Sequence, residues 1–148
     1  MSNRTALPVA TTFHVRDHCL CLATQRAARA LARRFDQALR PLGITNWQFS
    51  LLMSLNRPEP APLSAVATVL GLDRTTLTAN LKPLTRRGLV KMQIDPEDRR
   101  SRRLVLTASG RKLLRAALPI WTRTHADVDS LVPAGDGPRL RTALRALA

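Results

Sequence analysis

The sequence predicts a mostly α-helical chain carrying one small β-hairpin, on three observations. Ala, Leu and Phe recur at helical spacing over much of the length. Two short helical stretches joined by a glycine-containing turn stand in mid-chain. Directly after them, two short runs rich in Leu, Val and Ile are separated by a charged loop. A length of 148 residues fits one domain or two small lobes sharing a core, and the 45% hydrophobic content is that of a globular protein. Aromatics make up 3% and Tyr is absent, so the core falls to Leu, Ala, Val and Ile.

The N-terminus, MSNRTALPVATTF, lacks the long apolar segment of a signal peptide, and no apolar run approaches the ~20 residues that span a bilayer. The expectation is a cytoplasmic protein with no membrane partner, in which Cys19 and Cys21 are reduced thiols. Residues 17–40 read as a helix, stopped by Pro41 and Gly43, with Arg26, Arg29, Arg33 and Arg40 along one stripe. Thr45 and Gln48 have capping-box spacing and open a second helix through WQFSLLMSL, which ends at RPEPAP. Ser64 is placed to cap a short helix over 65–70, closed by Gly71. Asp73 is placed to cap the next, which runs to Arg87 and stops at Gly88. On that helix Leu77, Leu81 and Leu84 form a face to be buried, while Thr75, Thr78, Lys82 and Arg86 lie opposite. Small hydroxyls and cations suit a groove lined with phosphates and base edges, though an ordinary solvated face has the same composition. Pro83 predicts a bend or a tightened last turn, and Pro119 raises the same issue in a later helix.

LVKMQI and RRLVLT read as the hairpin strands, and Asp95-Pro96 as the start of a projecting loop. Thr107 then caps a helix through ASGRKLLRAALPIWTRTHADVDSL. VPAGDGP breaks the chain, and PRLRTALRAL forms a short last helix.

The net charge is +14, and 21 of the 24 basic residues are arginine. Arginine's planar fork matches phosphates and base edges bidentately, so this excess points to a polyanionic partner. From Arg74 to Arg115 twelve basic residues face three acids, so mid-chain holds +9 of the +14. A helix-turn-helix followed by a hairpin with a basic loop is a winged helix: one helix enters the major groove and the wing reaches the adjacent minor groove. Arg99, Arg100 and Arg102 supply the wing's cations, and Asp95 or Asp98 is placed to pair with a neighbouring arginine and fix its direction. One lobe makes few base contacts. In a dimer, two lobes roughly 34–36 Å apart would read two half-sites one turn apart, on a pseudo-palindromic operator. No Gly-rich phosphate loop, nucleophile elbow or HExxH is present, so neither an enzyme nor a cofactor is expected.

The run LSAVATVLGLDRTTLTANLKPLTRRGLVKMQIDPEDRRSRRLVLTASGRKLL resembles the DNA-binding core of MarR-type transcriptional regulators, most specifically in the DPEDRR wing followed by LVLTASG. Weaker similarity covers the rest from about residue 17. The resemblance implies a homodimer on double-stranded DNA. Residues 1–44 would supply an arm and a dimerisation helix, 45–107 the winged helix-turn-helix lobe, and 108–148 further dimerisation helices. It implies a repressor released by a small aromatic or other effector, by oxidants or by metal. It places Arg74, Thr75, Thr76 and Thr78 on DNA, with Arg99 or Arg100 in the minor groove. Many members carry Arg or a comparable donor where this chain has Ala79, so readout falls to Asn80 or Lys82.

HVRDHCLC, residues 14–21, holds two of the three histidines and both cysteines. Three readings stand. The cysteines are small core hydrophobes. Alternatively, one is a redox-sensing thiolate, Cys21 matching the reactive cysteine of peroxide-sensing relatives. Their activating tyrosines are replaced here by Phe35 and Asn46, leaving His18 or Arg26 to activate the thiol. Lastly, His14, His18 and Cys21 bind a metal, although Cys-x-Cys lacks the usual zinc spacing. Trp47 is read as a core residue or as part of an effector pocket. A basic protein that coats nucleic acid without reading it explains the charge but not the ordered helix-turn-helix and wing.

Overall fold

The computed structural model describes residues 6–148. The first five residues, part of the expected N-terminal arm and of the segment read for a signal peptide, lie outside the described residues. The chain forms two compact units that meet at Arg34/Phe35.

The first unit holds α1 (Val9–His18) and most of α2 (Leu20–Leu39). The single helix expected over 17–40 is therefore two, and the first begins well before residue 17. Cys19 makes the break: its backbone is extended (φ −75°, ψ 104°). Its N–H closes α1 on the Val15 carbonyl at 2.9 Å. Its sulfur accepts the Leu22 N–H at 3.4 Å, so it caps the helix that follows.

The second unit starts on the last turn of α2. A 3₁₀ turn over Arg40–Leu42 and Gly43 in the left-handed region (φ 65°) stop it where Pro41 and Gly43 predict. Arg40 thus leaves the helix that carries the other three arginines of its expected stripe. α3 (Asn46–Ser54) opens with the predicted capping box, Thr45 and Gln48 each accepting the other's N–H. The Asp36 carboxylate takes the Asn46 N–H at 2.6 Å.

β1 (Ala61–Pro62) is a strand that periodicity does not reveal. The prolines at 58, 60 and 62 keep the chain extended, and Ala61 pairs with Leu104. α4 (Leu63–Leu70) consequently starts one residue after the strand. Pro62 stands at its cap and Ser64 lies inside its first turn, which corrects the expected Ser64 cap. Gly71 closes α4 as predicted (φ 63°).

α5 (Arg74–Arg86) carries the Asp73 cap and runs unbroken through Pro83. Tightening appears only at its exit, where the Gly88 N–H reaches back three residues to Thr85 at 3.0 Å. The hairpin is β2 (Val90–Ile94) with β3 (Arg102–Leu106), in register from Val90↔Leu106 to Ile94↔Arg102. The sheet order is β1-β3-β2. α6 (Ala108–Asp129) is capped by Thr107 and passes through Pro119 without interruption. α7 (Asp136–Arg145) starts two residues before the predicted PRLRTALRAL.

The core joins the apolar faces of α3–α6 to the sheet. Leu39, Leu52, Leu77, Leu84 and Ala117 are fully buried, and Leu81 nearly so. The predicted Leu77/Leu81/Leu84 face is therefore what fixes α5 to the lobe, at about 1.5–3 kcal/mol for each fully buried leucine. No helix among the described residues is long and apolar enough to cross a membrane.

Candidate nucleic-acid interface

With Leu77, Leu81 and Leu84 turned inward, Thr75, Ala79, Lys82 and Arg86 fall within about 60° of one another on the opposite, exposed face. Between this helix and the wing lies an open cleft of about 500 Å³. Its walls include Arg74, Thr75, Thr78, Ala79 and Lys82 from α5, with Met92 and Arg102 from the two hairpin strands and Leu63 from the start of α4. Five residues singled out in the sequence, Arg74, Thr75, Thr78, Lys82 and Arg102, are thus brought to one concavity. Thr76, Asn80 and Arg86 do not line it, although all three are exposed.

The threonines are not equivalent. Both the N–H and the hydroxyl of Thr76 go to the Asp73 carboxylate, at 2.8 and 2.7 Å. They hold the Asp73 carboxyl below its ordinary range, the N–H contributing most. Thr76 is thus part of the cap that starts the helix. Thr78 donates its hydroxyl to the Arg74 carbonyl at 2.8 Å.

The wing contains the one charged residue that is buried among those described, Asp95, 8% exposed. Its carboxylate accepts Arg103 Nε at 2.8 Å and the Glu97 N–H at 3.0 Å. The Arg103 bond, then the Glu97 N–H, depress its pKa. Arg103 also lies 3.6 Å from the Glu97 carboxylate. The Asp98 carboxylate accepts the Ser101 hydroxyl at 2.6 Å and the Arg100 N–H at 3.0 Å, which likewise hold its pKa down. The expected acid–arginine pairing therefore falls to Asp95 with Arg103. Asp98 shapes the loop backbone and, among the described residues, pairs with no guanidinium. Arg102 is tethered to the Arg99 and Ser101 carbonyls at 3.1 and 3.2 Å. Arg99 and Arg100 are exposed at the loop tip.

Part of the basic excess serves the fold. Arg87 donates to the Gly43 and Leu42 carbonyls at 2.6 and 3.2 Å, tying the end of α5 to the turn before α3. Arg111 donates to the Leu106 carbonyl at 2.7 Å. Sequence reasoning counted Arg87, Arg103 and Arg111 only as charge. The one available signal was position, since Asp95 opens the hairpin loop and Arg103 stands two residues past its end.

In the first unit, the rings of His14 and His18 stack at 4.2 Å, and His18 Nδ1 donates to the His14 carbonyl at 2.8 Å. Cys19 is half-buried at the helix break and Cys21 is exposed, its sulfur accepting Gln25 Nε2 at 3.4 Å. His14, His18 and Cys21 do not converge: among the described residues no three His, Cys, Asp or Glu side chains come together as metal ligands. Arg26 shares an open hollow on α2 with Arg29 and Arg33.

Trp47 is 49% exposed and so is not the core residue expected. As the second residue of α3 it sits on the outer side of that helix, while Phe49 turns inward. The tryptophan that packs is Trp121 of α6, stacked on Phe49 with ring centroids 6.2 Å apart. Trp121 and Phe49, with Met53, Val69, Leu70 and Leu118, line an apolar hollow of about 540 Å³ that also carries the Ser50 and Ser54 side chains.

A model of the winged helix DNA-binding domain matches residues 44–110. The transcriptional regulator MosR of M. tuberculosis, solved in complex with DNA, is 42% identical with a TM-score of 0.80, over 88% of this chain and 93% of that one. The repressor CouR of Rhodococcus jostii, solved on a 23-mer DNA duplex, is 30% identical with a TM-score of 0.81, over 90% and 94%. The regulator HosA of Escherichia coli is 36% identical over 85 residues, which span 50% of this chain and 62% of HosA.

Proposed function

The chain belongs to the MarR-type winged helix-turn-helix family of transcriptional regulators, and from that premise we propose that it is a dimeric, sequence-specific repressor released by a small aromatic effector. The observation that carries the DNA reading is the cleft between α5 and the wing, where Arg74, Lys82 and Arg102 surround groups of base-reading size. In this reading α5 enters the major groove. The loop tip with Arg99 and Arg100 follows the backbone to the minor groove, on a wing whose shape Asp95 and Asp98 hold in advance.

Exposed apolar side chains support a second copy of the chain. Leu7, Val9, Phe13, Val15 and Leu20 in the N-terminal segment, and Leu131, Leu140, Leu144 and Leu147 near the other end, all face solvent in a single chain. A dimer covers such faces and presents two reading helices to a pseudo-palindromic operator. The hollow lined by Phe49 and Trp121 supports an effector with a flat apolar body; Ser50 offers it a hydroxyl, while the Ser54 hydroxyl donates to the Leu51 carbonyl at 2.7 Å and keeps only its acceptor side.

The test is a fluorescence-anisotropy titration at near-physiological salt, using DNA from directly upstream of the protein's own gene against unrelated competitor. Binding that survives a large excess of competitor is expected, and aromatic acids are then screened for release. Binding that the competitor abolishes on that probe and on a selected pool would leave only the reading as a non-specific coat.

A second reading, thiol-based oxidant sensing, draws on one observation: Cys21 is exposed and Cys19 holds the break between α1 and α2, so oxidation there would disturb a helix cap. Mass spectrometry after mild peroxide tests it, and unmodified thiols would remove it.

A further inference from the structure

We propose that the reading helix identifies its half-site through the 5-methyl group of thymine, contacted by the Ala79 side chain with the Thr78 γ-methyl beside it. This rests on the DNA-binding reading above and goes further, naming which base feature is read and by which residue.

Ala79 stands at the middle of the exposed face of α5, opposite the buried leucines, and lines the cleft. Of the α5 residues that line the cleft, it is the one with neither a charge nor a hydroxyl. The groups around it narrow the chemistry further. The Thr76 hydroxyl is held by Asp73, and the Thr78 hydroxyl is turned back to the Arg74 carbonyl. Thr78 therefore has no proton left to give a base and presents its methyl group and an acceptor oxygen. Asn80, the amide suited to adenine, does not line the cleft.

The middle of the reading face is therefore a small apolar patch. Arg74 and Lys82 flank it along the helix, and Arg102 approaches from the wing. The cations suit phosphates and guanine edges. In the major groove only thymine offers an apolar group, and alanine and threonine methyls are its ordinary partners. A one-carbon side chain at this point also lets the helix backbone come closer to the base edges than a long donor would allow.

The experiment uses the full chain. An operator is first selected from a random duplex pool, and each of its thymines is then replaced in turn by deoxyuridine, which removes only the methyl group. One thymine in each half-site is expected to weaken binding about fourfold on replacement, the weight of one buried methyl group. In Ala79→Gly the same replacement should no longer matter. Because glycine weakens a helix, Ala79→Ser serves as the second variant; its hydroxyl makes the contact partly polar while the β-carbon stays, so the thymine-to-uracil penalty should shrink.

Specific binding that no deoxyuridine replacement alters would overturn the proposal. So would a methyl penalty that persists undiminished in both variants, because another residue would then be reading the methyl. A pool that enriches no sequence at all would overturn the DNA-reading function itself, and this inference with it.

Discussion

The Arg103 guanidinium meets the Asp95 carboxylate at 2.8 Å across the base of the wing, from the second strand of the hairpin to the residue just after the first. Its other arm lies 3.6 Å from Glu97, so one planar cation spans two acids of the loop. Asp95 is buried and Arg103 half-buried, which shields the pair from screening better than a surface ion pair. Arg103→Ala should leave Asp95 without its partner, loosen the loop that carries Arg99 and Arg100, and weaken operator binding roughly tenfold through lost preorganisation. Arg103→Lys should recover only part of this, because an ammonium cannot span both acids. Anisotropy titrations of the two variants check it; full recovery by lysine would mean that charge alone matters.

Acid should act on the same elements. Asp73, Asp95 and Asp98 each have a pKa held below the ordinary carboxylate range, by Thr76, by Arg103 and by Ser101 respectively as the largest causes. A carboxyl with a lower pKa folded than unfolded adds stability that is fully present above its unfolded value and lost as the pH falls through its folded value. The melting temperature should therefore be flat from pH 7 down to about 5 and fall below about 4. Asp95→Asn should lower it at neutral pH and make the acid-side fall shallower. A wild-type protein whose melting temperature rises on acidification would contradict this assignment.

Much of this architecture could be read from the sequence, and the particular residues show why. The caps at Thr45, Asp73 and Thr107 and the stops at Gly43, Gly71 and Gly88 are local chemistry, decided within a few residues, and the structure has all six. The Leu77/Leu81/Leu84 face follows from helical period alone. What escaped depends on partners distant in the chain. Ala61 is a strand residue only because Leu104 is beside it. Arg87 counted only as part of the basic excess, yet it bonds carbonyls 44 and 45 residues away. Trp47 and Trp121 could not be ranked for burial without knowing which side of α3 meets α6. The break at Cys19 escaped for another reason, since helical spacing continues through it and a cysteine is an uncommon cap.

Glycine positions give a paired stability prediction of opposite outcome. Gly110 is buried in the first turn of α6, and a methyl group there would lie 2.7 Å from the Leu106 side chain and press on the Leu89 carbonyl. The carbonyl belongs to the chain entering β2 and cannot swing aside, so Gly110→Ala should destabilise by about 1–3 kcal/mol through overpacking. Gly137, in the first turn of α7, would meet only the Arg141 and Asp129 side-chain ends, at 3.6 Å or more. Gly137→Ala should be neutral or stabilise by up to about 1 kcal/mol by restricting the unfolded chain. Urea unfolding of both variants decides it, and equal losses would mean that the close approach at Gly110 is not a constraint.

The wing and the body of α6 should differ sharply in their effect on DNA binding. Arg100 stands exposed at the loop tip, its backbone N–H fixed by Asp98, whereas Lys112 is exposed on α6 outside both reading elements. Each substitution to alanine removes one positive charge, so a protein that binds through charge alone would lose the same affinity from either. A reading wing would not: its arginine meets the focused potential of a narrow minor groove, while a distant lysine meets a screened one. Arg100→Ala should weaken operator binding roughly tenfold and lower the slope of log affinity against log salt by about one. Lys112→Ala should change both only slightly. Measuring each variant on operator and on unrelated DNA separates the cases. A loss confined to the operator and to Arg100→Ala marks sequence-linked recognition by the wing, and equal losses on both DNAs from both variants mark unspecific attraction.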